Sequence, residues 1–251
     1  MQRINILYSS ADETPEKILN VEGPPLKADL SALEKFYTQR GLKEKIGLDE
    51  FLNYWENEAA EKLRRPAARV VFMPAADAEE KFGAGIVKTN DSVAKAAMMV
   101  WTIGPGLEKE AGLLSSDKEN TITGFLLDIA GSIALHAMHD QLIRWLKDEC
   151  ACRDKLYING EFYPGMGSLS KDLLENISKT GDTERLLGVS VPGGAFFRPG
   201  KTQCSLIALG SADNETTTTA RACTPCSGRK CLYYQLGGCH MMTCGSGDKG
   251  T

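Results

Sequence analysis

A long apolar stretch near the middle of the chain constrains the fold more than any other feature. It covers residues 121–149, TITGFLLDIAGSIALHAMHDQLIRWLKDE, and from 125 to 138 apolar side chains surround a helical axis. A helix that is apolar all round needs other elements on every side. The sequence therefore predicts a helix that runs through the interior of a globular domain.

Small residues along this predicted helix allow another group to come close. They are Gly124, Ala130, Gly131 and Ala134. A neighbouring helix or sheet is the ordinary occupant of such a surface, and a planar ligand is the less ordinary one. His136 and Asp140 share one helix face. We interpret them as a histidine satisfied within the fold rather than as an axial metal ligand with its orienting carboxylate.

The segments before this helix predict strands. RVVFMPAA (69–76) and AKAAMMVWTIG (94–104) are apolar, partly β-branched runs bounded by breakers, as expected of buried strands. At Gly104-Pro105-Gly106 the chain must turn, because proline fixes φ and glycine tolerates angles that other residues avoid. LEKEAGLL then predicts a short helix.

The two flanks of this region carry weaker signals. Residues 1–65 are predicted to be mainly helical after an opening strand, INILYSS. On the other side, Asn159-Gly160 and Pro164-Gly165 each predict a turn. LLGVSV, GAFFRPG and QCSLIALGS predict two or three closing strands with a turn at 198–200.

Composition and charge narrow the classes of partner. The chain has 251 residues, is 42% hydrophobic and 25% charged, and has a formal net charge of −4 without long runs of one sign. Neither a nucleic-acid-binding surface nor an uninterrupted membrane span is predicted, so we expect neither partner. The N-terminus has no signal-peptide pattern, and we expect a cytoplasmic protein.

The apolar pattern stops after Gly210, which divides the chain. We expect an α+β domain over 1–210 and a cysteine-rich tail over 211–251 that cannot order itself by burial. The tail contains CTPCSGRKCLYYQLGGC and a further cysteine, so its thiols are Cys223, Cys226, Cys231, Cys239 and Cys244. In a reducing compartment such thiols are used for metal binding or chemistry rather than for structural disulfides.

This spacing offers at least four thiolates to one centre. Cys223 and Cys226 can chelate one metal from a single turn, and Cys231 and Cys239 complete a set of four, with Cys244 as a possible replacement. An iron-sulfur cluster, of the 4Fe-4S type, and a structural zinc are both compatible with this set. A single C-x2-C knuckle favours the cluster, because zinc sites of this kind more often pair two knuckles. No nucleophile elbow, phosphate loop or dinucleotide fingerprint is present, so any reactive group is expected to be a bound cofactor.

Several stretches in order resemble a known family. They are WTIGPGLEKEAGLL, LLDIAGSIALHAMHDQL, EFYPGMGSLSKDLLENI and FRPG before KTQCSLIALG. Together they resemble the activation (reactivation) domain of cobalamin-dependent methionine synthase over residues 90–233. The resemblance is nearest to short stand-alone relatives found beside corrinoid methyltransferases in anaerobes, some of which also end in C-x2-C-x4-C-x-Tyr, here Cys223, Cys226, Cys231 and Tyr233.

This resemblance implies a fold and a set of cofactor contacts. The fold is α+β, with a curved antiparallel sheet and packed helices, and the domain in the full synthase binds S-adenosylmethionine and leans over the corrin ring. The cofactor contacts expected in this chain are Tyr163, Pro164, Gly165, Met166, Gly104 and Gly131. The family motif Arg-Pro-x-Pro-Gly-Tyr is matched here by residues 161–166, with Glu161 in place of the arginine. A like charge repels a ligand carboxylate, so we do not expect S-adenosylmethionine to bind there.

Two hypotheses on function follow. The first is an accessory protein that binds a cobamide or a corrinoid protein and supports reductive reactivation of Co(II) corrinoid through an iron-sulfur cluster, with a corrinoid protein or methyltransferase as partner. The second is a non-catalytic protein that binds, stores or transfers cobalamin, with a zinc-bound or metal-free tail. Methylation that depends on S-adenosylmethionine comes last.

Overall fold

The protein is built on one antiparallel sheet, in a computed structural model that describes residues 7–8, 16–20, 28–59, 63–83, 85, 93–165 and 169–211. Within these residues the sheet has six strands in the order β1-β2-β3-β4-β6-β5. The strands are β1 Leu7–Tyr8, β2 Glu16–Asn20, β3 Ala67–Pro74, β4 Val93–Thr102, β5 Tyr157–Phe162 and β6 Thr202–Gly210.

Seven α-helices surround the sheet in the described part of the chain. They are α1 Ser31–Thr38, α2 Leu48–Tyr54, α3 Ala75–Phe82, α4 Gly106–Ser116, α5 Thr121–Arg153, α6 Leu173–Gly181 and α7 Thr183–Leu187. A π-helical turn, Trp55–Ala59, continues α2, and 3-10 turns occur at Glu44–Ile46 and Pro192–Gly194.

The sheet is covered on both faces, because successive residues of a strand point to opposite sides. One face packs against α1, α2, α4 and α5, and its buried strand residues are Ala68, Val70, Ala97, Met99, Trp101, Ile207 and Leu209. The other face packs against α3 and α6, and its buried strand residues are Val71, Met73, Ala96, Met98, Val100, Cys204, Leu206 and Ala208. The three central strands β3, β4 and β6 therefore read as continuous apolar runs rather than as alternating ones.

The predicted core helix is confirmed as α5. Leu126, Leu127 and Ala130 are completely buried, but Phe125 and Ile122 remain 47% and 46% exposed. The first turns of α5 are therefore open on one side, where all-round burial was predicted. The helix is long and apolar enough to cross a membrane, yet 56% of its most apolar window is buried inside the fold, as in the core helix of a soluble protein.

The predicted turn at Asn159-Gly160 is wrong. β5 runs straight through both residues, and the pairing with β6 shifts register between Ile158 and Gly160, so Asn159 is absorbed as a bulge. A hairpin turn would need a partner strand directly after it, but β5 pairs with β6, which lies forty residues further along the chain. The second predicted turn is confirmed: Gly165 has φ +82° and donates its N–H to the carbonyl of Leu169 at 2.9 Å.

The closing region contains one strand where two or three were predicted. Only QCSLIALG forms a strand, β6, whereas LLGVSV begins in α7 and contributes a single bridge between Ser190 and Arg198. The 3-10 turn Pro192–Gly194 lies inside the loop that this bridge closes, and the cis Arg198–Pro199 bond lies between the bridge and β6. At the other end of the chain the helical prediction holds for α1 and α2 but misses β2, which pairs with β3.

Candidate functional site

The strands that precede most of the predicted ligand contacts end in the same direction. β6 pairs antiparallel with β4, opposite Thr102 at its start, and antiparallel with β5, which ends opposite Leu206. The end of β4, the start of β6 and the end of β5 therefore point the same way. Gly104 follows β4, and the 163–165 turn (Tyr163, Pro164 and Gly165) follows β5. The predicted contact Met166 lies outside the described residues.

Gly104 is used by the chain's own backbone. Its φ is +79°, and its N–H donates to Oγ1 of Thr102 at 3.1 Å. A Cβ built on Gly104 would lie 2.9 Å from Cβ of Arg65, whose N–H donates to the carbonyl of Ile103 at 2.8 Å. The glycine therefore lets the segment before β3 cross close to the end of β4, and a ligand contact at this residue stays a prediction.

Gly131 makes room for a lysine. A Cβ built on it would lie 3.4 Å from Cε of Lys201 and 3.6 Å from Leu107. The ammonium of Lys201 donates to Oγ of Ser132 and pairs with Asp128, both at 2.8 Å. This side of α5 thus faces the start of β6, and a ligand contact at Gly131 also stays a prediction.

Hydrogen bonds hold the loop that precedes β6 against α4 and β4. The N–H of Gly200 donates to Glu108 at 2.6 Å, at the start of α4. Oγ1 of Thr202 donates to Oγ1 of Thr102 at 2.9 Å, and Thr102 donates to the carbonyl of Lys201 at 3.1 Å. The loop is therefore fixed at the same end of the sheet as Gly104.

A buried polar network lies beneath the 163–165 turn. His139 of α5 places Nε2 2.8 Å from Oε1 of Glu161 on β5 and 3.2 Å from the hydroxyl of Tyr163. Its Nδ1 is 3.7 Å from Oδ1 of Asp140. His139, Glu161 and Tyr163 are only 6%, 3% and 7% exposed. The network therefore joins α5 to β5 inside the core. Its last member, Tyr163, directly precedes Pro164 and Gly165.

The two charges of this network stabilise each other. Burial lowers the pKa of His139, but the nearby carboxylate of Asp140 and the hydrogen bond and charge of Glu161 outweigh burial and raise it to about 9. Burial raises the pKa of Glu161, but the hydrogen bond and charge of His139, with smaller contributions from Ser205 and Tyr163, hold it below its ordinary value. At neutral pH the pair is an imidazolium and a carboxylate.

Trp101 of β4 encloses the network from the sheet side. Its ring centroid lies 5.1 Å from that of His139, and its Nε1 donates to the carbonyl of Leu135 at 3.2 Å. Trp101 is completely buried. The imidazolium is therefore held between an indole and two carboxylates.

Sequence reasoning missed the pairing of His139 with Glu161. It grouped Asp140 with His136, whereas the structure places the carboxylate of Asp140 against His139. A signal was present: a histidine on a helix that is apolar all round and a glutamate on a buried strand both need a partner of opposite charge. Which charges meet depends on how α5 crosses β5, and the sequence pattern does not encode that.

The predicted metal site cannot be placed. Cys223, Cys226, Cys231, Cys239 and Cys244 lie outside the described residues, and so does the predicted tail domain beyond Ser211. Within the part of the chain that the structure describes, no group of three or more histidine, cysteine or acidic side chains could hold a metal ion. Cys150 and Cys204 are buried, and burial raises the pKa of Cys204, so that this cysteine stays protonated. Metal binding by the tail stays a prediction.

Comparisons with known proteins connect this architecture to a solved domain. No family model matches the chain, and no curated protein matches it. Among solved structures it is similar to the MetH reactivation domain bound to AdoHcy, with a TM-score of 0.53 and 14% sequence identity over 80% of this chain and 79% of that one. The predicted α+β fold, like that of the methionine synthase activation domain, is thereby confirmed at the level of the fold. The chain has the fold of the MetH reactivation domain.

Proposed function

We propose that this protein handles corrinoids: it binds a cobamide or a corrinoid protein and supports the reductive reactivation of Co(II) corrinoid. The observation that carries the proposal is the shared fold, which extends over four fifths of both chains and belongs to a domain described as a reactivation domain. The expected partner is a corrinoid protein or a corrinoid methyltransferase.

The arrangement of the sheet end supports a large, flat ligand. Gly104 and the loop before β6 lie at one end of the sheet, and the 163–165 turn follows β5, which runs in the same direction and ends opposite Leu206, with Gly165 exposed. Glycine and proline turns present backbone rather than long side chains, so a broad ligand can come close to them. Tyr163, Pro164, Gly165, Met166, Gly104 and Gly131 are the contacts that we assign to the corrinoid.

In this proposal the cysteine-rich tail, residues 211–251, supplies the electron for reduction. Cys223, Cys226, Cys231 and Cys239 would hold an iron-sulfur cluster of the 4Fe-4S type, with Cys244 as a substitute ligand. When bound, such a cluster supplies one electron at low potential, which zinc in the same ligands could not do. The identity of the metal therefore separates a reductive activator from a scaffold.

S-adenosylmethionine is not part of the proposal, although the solved neighbour holds AdoHcy. The residue of this chain that matches the family's arginine is Glu161, and its carboxylate is buried and bonded to His139 at 2.8 Å. A carboxylate cannot form the two-pronged bond that arginine makes with the carboxylate of an amino acid. The residues present therefore do not fit that end of the cofactor.

Anaerobic purification followed by metal analysis and absorption spectra, before and after addition of cobalamin, tests the proposal. We expect iron with acid-labile sulfide and a changed corrin spectrum. Cys226→Ser should bleach the cluster, whereas Cys204→Ala, which removes a thiol buried in β6, should keep it. Corrinoid binding without iron supports the storage or transfer alternative, and absence of both corrinoid and iron overturns the proposal. Tight binding of S-adenosylmethionine would contradict our interpretation of Glu161.

A further inference from the structure

The buried network is attached to the strand that ends in the ligand-facing turn. Glu161 lies on β5 and Tyr163 directly follows the strand, two residues later, so both point to the face covered by α5, while Phe162 points to the opposite core. One imidazole, that of His139, reaches both of them, at 2.8 Å and 3.2 Å. His139 therefore fixes the residues on both sides of Phe162, at the end of the strand.

The next two residues are the exposed part of the turn. Pro164 is half-buried and Gly165 is exposed, whereas Tyr163 is only 7% exposed and its hydroxyl is bonded inward. Tyr163 thus anchors the start of the 163–165 turn in the core. The N–H of Gly165 donates to the carbonyl of Leu169, so exchange of this amide reports on the position of Gly165.

The protonation state of His139 determines how strongly Glu161 and Tyr163 are held. Among the described residues, the imidazole faces Asp140 from α5, Glu161 from β5, Tyr163 directly after β5, Trp101 from β4 and, through Glu161, Ser205 from β6. Both charged groups among them are carboxylates. A neutral imidazole has one N–H, so it faces one of the two carboxylates with a lone pair and repels it. The charged form alone satisfies both sides.

We propose that His139 is a positioning residue, whose imidazolium holds Glu161 and Tyr163 and thereby sets the 163–165 turn for ligand binding. The claim rests on the proposed function, since the ligand is the corrinoid assigned to this turn. Loss of the imidazolium charge weakens the attraction that holds Glu161 and Tyr163 against α5, so the turn loosens while the apolar core stays folded. Binding at this end of the sheet is therefore expected to weaken at alkaline pH.

A first measurement needs no ligand. Hydrogen exchange of the Gly165 amide, expressed as a protection factor at pH 7, should fall about tenfold in His139→Gln, while the core amides of β6 keep their protection. His136→Gln, on the same helix one turn earlier, is the matched control and should leave Gly165 unchanged. Equal loss of protection at Gly165 and throughout β6, or no loss at Gly165, overturns the positioning role.

A second measurement uses cyanocobalamin, whose axial ligands do not titrate in this pH range. We expect its affinity for the wild-type protein to fall with a midpoint near pH 9, the pKa of His139, and to be weaker and independent of pH in His139→Gln. Glu161→Gln, which removes the partner charge and keeps the shape, should move the midpoint to lower pH. A wild-type midpoint that Glu161→Gln does not move overturns the claim.

The two measurements separate the failure of the two proposals. If Gly165 loses protection as expected but the wild-type protein binds no cyanocobalamin at any pH, positioning stands and direct binding of a free cobamide fails. If cyanocobalamin binds equally in the wild-type protein and in His139→Gln across the pH range, the proposed function stands and the positioning role fails. Circular dichroism at each pH shows that the compared samples are folded.

Discussion

Two of the contacts that hold helix α5 differ in character. Near its start it packs on α4 through Gly124, where an added Cβ would lie 2.6 Å from the backbone nitrogen of Ser115 and 2.7 Å from the carbonyl oxygen of Ala111. Near its middle it is joined to β5 by the ion pair of His139 and Glu161 at 2.8 Å. The first contact depends on volume and the second on charge.

The difference indicates which contact serves the fold alone. Close packing of small residues is how protein interiors in general reach their density. A buried ion pair costs desolvation on both sides, so it is often no more stabilising than apolar residues of the same shape. Apolar residues could hold α5 against β5 equally well. The charged contact under the 163–165 turn is therefore consistent with a role in the candidate site.

The largest effect is expected from His139→Leu. It leaves the carboxylate of Glu161 buried without a cation, which should lower the free energy of unfolding by about 3–5 kcal/mol. The double variant His139→Leu/Glu161→Leu removes both charges and should recover most of this loss. Urea denaturation measures all three proteins, and a double variant that is less stable than the single one contradicts the interpretation.

A smaller loss is expected from Gly124→Ala. The added methyl group meets the backbone of α4, so helix α5 must shift, and overpacking of this kind costs about 1–3 kcal/mol. Thermal and urea unfolding measure the loss. Unchanged stability would show that the α4–α5 contact is looser than its distances imply.

The charged contact also predicts a dependence of stability on pH. The pKa of His139 is raised from 6.5 to about 9, so its contribution is complete below pH 6.5 and is lost as the pH rises through 9. The pKa of Glu161 is lowered from 4.5, so its contribution is complete above pH 4.5 and is lost in more acidic solution. Between pH 6.5 and 9 we expect a loss of about 2–3 kcal/mol, because one pKa unit corresponds to about 1.4 kcal/mol. Urea denaturation of His139→Gln should lack this loss.

The smallest effect is expected from Gly112→Ala, which is the matched control for Gly124. Gly112 lies on α4, and an added Cβ would meet nothing within 4 Å. Alanine is the better helix former, so stability should rise by about 0.5–1 kcal/mol. If Gly112→Ala and Gly124→Ala change the thermal midpoint equally, volume does not govern the α4–α5 contact.

Apolar patterns predicted the framework of the fold. The runs at 69–76 and 94–104 became β3 and β4, and the apolar helix became α5, because burial of long apolar segments is decided locally. The resemblance, rather than periodicity, supplied the antiparallel topology. Asn159-Gly160 misled because a bulge and a hairpin use the same residues, and only the distant strand β6 decides between them.

The candidate site was predictable only in part. The resemblance placed Gly104 and the 163–165 turn among the ligand contacts, and the antiparallel pairing of β4, β5 and β6 makes the strands before them end in the same direction. The bond between His139 and Glu161 could not be predicted, because it joins residues that are twenty-two positions apart through the angle at which α5 crosses β5. The charge of Glu161 indicated only that the family's arginine contact is missing.

The indole of Trp101 against the ring of His139 gives the protein an internal optical probe. A positively charged imidazole quenches indole fluorescence more strongly than a neutral one, so the emission of this tryptophan should brighten as the histidine loses its proton. In Trp55→Phe/Trp145→Phe, Trp101 is the remaining emitter of three tryptophans. The protonation state beneath the turn can then be followed in solution during ligand addition, without any label.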